Sequence, residues 1–220
     1  FYRTRHELIK REFGTGGIGS RITPDHFGSV NDGTPSYEDN ERIWIVSGED
    51  PYTTYKYAAL AAQMAFILGV HDLHSLDTVD WASEAVEAYT WARANTRPGD
   101  EERPAVGSAL REIRLYAAAS LYRLTGTPTY LEDFRADMDG IDVDTRLTGE
   151  LRWGPYLYAL IPDSLDVDAE LMSSIRGAIL STADYHMTEN IDNRACRWAG
   201  DWFFPMLVGQ GTTPWIVEGM

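Results

Sequence analysis

Apolar and small side chains recur along most of this chain at intervals of three and four, the spacing that places them on one face of an α-helix. Tyr55, Ala58, Ala62, Ala65 and Phe66 form one such face, and Gly69 stands where that helix should end. Asp80 is a natural N-cap for a second helix with Trp81, Ala85, Ala88 and Ala92 on one side, closed by Pro98 and Gly99. A third stretch, Gly107 to Thr125, is lined by Leu110, Ile113, Ala117, Leu121 and Leu124. Gly126 then supplies a C′ residue, Thr127 a cap and Pro128 an N1 residue, so this region predicts helix, tight turn and helix: an αα-hairpin. A short helix over Gly154–Leu160 is introduced by Trp153 and closed by Pro162. Asp166 is expected to cap a long helix that turns Leu171, Ile175, Ile179 and Ala183 inward. Tyr2–Phe13 predicts one further helix, with Leu8 and Ile9 inward.

Between these elements the pattern breaks. Gly14, Gly16, Gly17 and Gly19 form a cluster without a preceding strand, which reads as a flexible exit from a helix and not as a dinucleotide fingerprint. Residues 20–51 read as one long loop, broken by Pro24, Asn31, Asp32, Gly33 and Pro35, with a short extended piece over Arg42–Val46. Loops of that length inside a domain commonly serve a function. This one carries His26, Phe27, Tyr37 and Trp44. The sequence closes with a segment, Cys196–Met220, that holds three tryptophans and ends as if entering another helix. No ladder of strands and no fixed-period repeat is legible. The class expected is all-α, built of helical hairpins with Ala-rich faces.

Composition narrows the chemistry. At 44% hydrophobic and 12% aromatic the chain is that of a packed protein. The net charge of −15, with Lys10 and Lys56 its only lysines, argues against a nucleic-acid partner. No apolar run is long enough for a membrane span, so no membrane partner is expected. Cys196 stands alone, so neither an internal disulfide nor a multi-cysteine zinc site is available, and no histidine adjoins it to activate a thiol. Asp137, Asp139, Asp142 and Asp144 crowd around Gly140 in a spacing related to calcium loops, but without the distal glutamate of an EF-hand. No cofactor and no metal set is expected elsewhere, with calcium at that loop the one candidate. Glu49 and Asp50 precede a helix, where acids are favoured as caps.

Four strings, in order, resemble family 9 glycoside hydrolases. The clearest is Glu112–Gly126 followed by Pro128, Tyr130 and Leu131: an acidic residue, an aromatic, a run of alanines, Leu-Tyr and Thr-Gly. The others are Tyr52–Ala62, Trp81–Trp91 and Arg197–Trp202. Together they extend over most of the chain. The resemblance implies an (α/α)6 barrel of six helical hairpins, domain 1–220 being part of it with the loop 20–51 inside. Twelve helices of about 12 residues with short loops already need roughly 200–250 residues. The remainder of the barrel or a partner chain is therefore expected to complete the fold, and the 220 residues are expected not to fold alone.

The resemblance further implies an inverting hydrolase of β-1,4-glucans, extracellular or at the cell surface, with a polysaccharide as its partner. Inversion needs a carboxylic acid on the leaving oxygen and a carboxylate that activates water on the opposite face. In the family the base lies in an Asp-Ala-Gly-Asp motif and the acid is a distal Glu. No such motif precedes Gly14 and no Asn-Glu string follows Trp215, so the catalytic residues are unassigned. Sugar rings stack on aromatic faces, which makes tryptophans the better candidates for substrate binding. Trp198 matches the family's cleft tryptophan, Trp202 and Asp201 share its turn but depart from the family residues, and Trp153 resembles a second subsite more weakly. Trp44 and His26 lie in the long loop expected at the cleft. Two other readings stay open: another (α/α)-barrel carbohydrate enzyme, a lyase or epimerase with a catalytic His or Tyr, or a non-catalytic carbohydrate-binding or assembly module.

Overall fold

The computed structural model describes residues 14–20, 22–24, 43–73, 78–97, 100, 110–142 and 144–188. The expected helix over Tyr2–Phe13 and the segment Cys196–Met220 lie outside them. The elements are strands β1 (Ile22–Pro24) and β2 (Trp44–Val46), then helices α1 (Pro51–Val70), α2 (Trp81–Asn95), α3 (Leu110–Thr125), α4 (Pro128–Asp137), α5 (Trp153–Ala159) and α6 (Ala169–Tyr185). They fall into two compact units that divide between Leu110 and Arg111.

In the first unit α1 begins as its sequence requires. The Asp50 carboxylate accepts from the amides of Tyr52 at 3.0 Å and Thr53 at 3.4 Å, and Pro51 occupies a first-turn position that has no amide to satisfy. The helix runs through Gly69 and ends at Val70, and the left-handed residue that follows is Asp72, with φ +52°. Asp80 caps α2 through the Ser83 amide at 3.0 Å. The buried faces are made of small residues: Ala58, Ala59, Ala61 and Ala62 of α1, and Ala85, Ala88 and Ala92 of α2. Their short side chains let the backbones approach, and rings fill the ends. Tyr55 meets Tyr89 edge to face at 5.2 Å, and the Tyr57 hydroxyl donates to Glu84 at 2.6 Å. Contacts that advance along α1 as they retreat along α2 mean that the pair is antiparallel.

The long loop is less open than its composition predicts. β1 and β2 pair antiparallel, Ile22 opposite Val46 and Pro24 opposite Trp44, with a further bridge between Gly19 and Glu49. Only the second arm is legible as extended chain; the first, Ile-Thr-Pro, is too short to show an alternation. The zipped ends are tied to α1, because the Asp50 amide donates to the Ile18 carbonyl and the Ile18 amide to the Thr54 hydroxyl at 2.9 Å.

In the second unit α3 is the centre. Leu110, Ile113, Leu115 and every residue from Ala117 to Tyr122 are buried, so the helix is covered nearly all round. Gly126, at φ +66°, turns the chain into α4. Arg114 near the start of α3 reaches Asp137 at the end of α4, which makes the two an antiparallel hairpin as expected. Thr127 stands at the N-cap of α4 without a side-chain hydrogen bond to the helix, so Pro128 with its preset φ is what starts it. α5 lies on α3 at Gly154, where an added Cβ would sit 2.9 Å from the Leu115 carbonyl carbon. The cap of α6 is Asp168, which accepts from the Glu170 and Leu171 amides at 3.0 Å, and not Asp166, whose carbonyl takes the Tyr122 hydroxyl instead. The buried residues of α6 are Met172, Ile175, Ala178, Thr182 and Ala183, which keeps the expected Ile175 and Ala183, while the expected Leu171 and Ile179 are half-buried. Among the described residues no helix is long and apolar enough to cross a membrane.

Candidate functional site

Of the tryptophans expected to bind substrate, Trp153 is the one whose side chain is described. It opens α5 half-buried, with its ring centroid 5.3 Å from that of Tyr116 on α3 and the two planes tilted by 57°. The guanidinium of the buried Arg152 lies 5.9 Å from the same indole. Trp44 is placed in β2, while its side chain, and all of His26, Trp198, Asp201 and Trp202, lie outside the described residues.

One carboxyl near Trp153 carries a signal that the sequence pattern shows only in outline. Glu112 stands one helical turn before Tyr116 on α3, so both project to the same face. Burial raises its pKa and the charge of Glu150 adds to this, while Arg111 and the Leu151 amide oppose it; the net shift is upward. Glu112 is thus a half-buried carboxyl on the same helix face as Tyr116, whose ring meets Trp153.

The first unit has its own constellation. Glu49 does not cap α1. Its Oε1 receives the amides of Thr15 at 2.7 Å, Gly16 at 2.9 Å and Gly17 at 2.7 Å, and its Oε2 receives the Thr15 hydroxyl at 2.7 Å. Consecutive amides turned to one point make a nest for an anion, here filled by the protein's own carboxylate. Burial pulls the Glu49 pKa up, the Thr15, Gly17 and Gly16 donors pull it down, and the donors prevail. The glycine cluster is thus not a flexible exit. Gly16 takes φ +123° to aim its amide, and a Cβ on Gly17 would lie 2.6 Å from the Trp91 ring. The Trp91 Nε1–H donates to the Thr15 hydroxyl oxygen at 2.8 Å. Beside the loop a cleft of about 510 Å³ opens against α2, lined among others by Thr15, Glu87, Thr90, Trp91 and Asn95.

Two of the aspartates around Gly140 have protein partners. Asp137 is buried and takes both Nε and Nη2 of Arg114 at 2.6 Å, a bidentate ion pair. The Asp142 carboxylate accepts from the Asp144 amide and the Thr145 hydroxyl, each at 3.0 Å, holding a local turn. Among the described residues no three ligating side chains gather where a metal ion could sit. The lone pairs of Asp137 thus face a guanidinium.

No family model matches the sequence, and no curated protein matches it. Solved structures do. The chain is similar to a single-mutant thermostable endoglucanase from Alicyclobacillus acidocaldarius at TM-score 0.62 and 19% identity, over 80% of this chain and 34% of that one. It is similar to a Bacteroides ovatus GH9 protein at TM-score 0.62 and 17% identity, over 84% and 36%. It is similar as well to AaCel9A in complex with a cellobiose-like isofagomine, at TM-score 0.61 and 20% identity, over 80% and 34%. The fold is thus of the helical-hairpin class, part of an (α/α)6 barrel. More particularly, the chain resembles family 9 glycoside hydrolases in structure and spans about a third of the length of these chains.

Proposed function

We propose that this chain is part of an inverting hydrolase of β-1,4-glucans, to which it contributes barrel helices and aromatic sugar-binding surface. The observation that carries the reading is the likeness of about four-fifths of the chain to endoglucanase structures, one of them holding a cellobiose-like ligand. The Trp153–Tyr116 pair with Glu112 on the same helix face as Tyr116 supports it, since aromatic rings and a nearby carboxyl suit a neutral sugar. In this reading Trp198, Trp202 and Asp201 form one part of the subsite surface, and Trp44 and His26 another. The acid and the base stand on chain that completes the barrel, or on a partner that does so. A polymeric substrate places the work outside the cell or at its surface.

The test is the release of reducing ends from soluble cellulose derivatives and barley β-glucan by the natural full-length protein, with the anomer of the product read by NMR. Release of the α-anomer is the expected result. Binding of the same glucans with no release would replace it by the non-catalytic module. An unsaturated product would assign a lyase.

A further inference from the structure

We infer that the cleft between the glycine loop and α2 is a carbohydrate site in its own right, which takes one neutral pyranose ring of a β-linked glucan on the indole of Trp91. The inference rests on the glucan reading for its ligand class, but its geometry is that of the first unit alone.

The cleft has the volume of a small-ligand site, about 510 Å³, against about 300–1,000 Å³ for such sites in general. Trp91 lines it and is fixed in two ways. Its Nε1–H is bound to Thr15, and its ring lies against the backbone of Gly16 and Gly17, where even a methyl group would clash. An indole held so firmly loses little rotamer freedom on stacking with a ligand. The loop that holds it is itself fixed, because Glu49 gathers the amides of Thr15, Gly16 and Gly17.

Polar groups flank the ring at helical spacing. Glu87 stands one turn before Trp91 and Asn95 one turn after it, with Thr90 beside them, so a carboxylate, an amide and a hydroxyl share the face with the indole. The Asn95 Nδ2 donates to the Trp91 carbonyl, which fixes the amide and turns its Oδ1 into an acceptor of known place. Acceptors around an aromatic plane are what a ring with apolar faces and equatorial hydroxyls needs. Among the described residues that line the cleft there is no lysine or arginine and Glu87 stands there, so this lining favours a neutral ring over an anionic one.

The full-chain protein carrying 5-fluorotryptophan is titrated with cellotetraose and followed by fluorine NMR, each indole assigned by a single Trp→Phe change. The Trp91 resonance is expected to move with a saturable dependence. The double variant Glu87→Ala with Asn95→Ala is expected to weaken binding at that resonance about tenfold, the loss of hydrogen bonds to a charged and a neutral acceptor, with an unchanged melting curve. Both positions are on the helix surface, so this variant stays informative if Trp91→Ala fails to fold. Movement of other indoles while Trp91 stays still would overturn the site and leave the glucan reading standing. Silence of every indole together with reducing-end release would also sink the site alone. Silence with no release and no binding would sink both.

Discussion

Glycine is required at position 17 by an indole. Three atoms of the Trp91 ring lie 2.6–2.7 Å from where a Cβ would be, and that ring is tied to Thr15 at its other edge. Gly17→Ala should therefore lower stability by about 1–3 kcal/mol, as overpacking does, with a lower denaturant midpoint as the readout. Combined with Trp91→Ala the cost should be much less than the sum of the two, and full additivity would show that the clash is not the cause. Glu49 makes a second prediction at this scale. Its folded pKa is lowered from 4.5, so its contribution is present above the unfolded value and is lost as pH falls through the folded one. Glu49→Gln should destabilise at pH 7, by about 1–2 kcal/mol given charge-assisted bonds at a largely solvated carboxylate, and the gap to wild type should close on acidification. A gap that stays constant from pH 7 to pH 3 would mean that the charge is irrelevant. Neither arrangement is legible in the sequence. The glycines are visible there, but the carboxylate that gathers their amides is 32–33 positions away and the indole is 76 positions from the Thr15 it binds, and nothing local says that an acid or an indole will come to them.

At the scale of elements the sequence says much more, because a helix is specified by its own residues. The α1 and α2 starts are set by Asp50 and Asp80 as read. The start of α6 is ambiguous for a local reason: Asp166-Val-Asp168 offers two acids at cap spacing, and it is Asp168 that takes the first-turn amides. Packing between helices is where the reading stops. Gly154 is legible as the start of a short helix, but nothing local says that it is buried where that helix meets α3. Three Leu115 atoms, two of them backbone, lie 2.9–3.1 Å from its missing Cβ, and a backbone cannot rotate away. Gly154→Ala should thus cost about 1–3 kcal/mol in spite of alanine's better helix propensity, read as a fall in denaturant midpoint with the slope unchanged. A stabilised variant would mean that propensity outweighs the contact at this site.

For the whole molecule the all-α class follows from periodicity, and the hairpin from Gly126 and Pro128, whereas most of the candidate site does not follow from any local pattern. Its tryptophans are scattered from Trp44 to Trp202, and only a fold can say which of them share a surface. The same limit applies to apolar surface left exposed on a helix, of which α1 carries a stripe. Leu60, Met64 and Ile67 are 41%, 41% and 48% exposed and follow each other at four and three residues along α1, on the side away from its buried alanines. A stripe of this kind favours cover by another apolar helix, at roughly 25 cal/mol for each Å² removed from water. The expectation that the 220 residues need more chain or a partner then has a definite test. Replacing all three residues by Gln should leave the melting temperature of the chain nearly unchanged, because they contribute little burial in it, and should reduce both dye binding to apolar surface and concentration-dependent association. In a longer protein that supplies the covering helices the same three changes should be strongly destabilising. A marked loss of stability in the 220-residue chain would instead mean that α1 is already covered on this side, and the need for a further barrel element would fall with it.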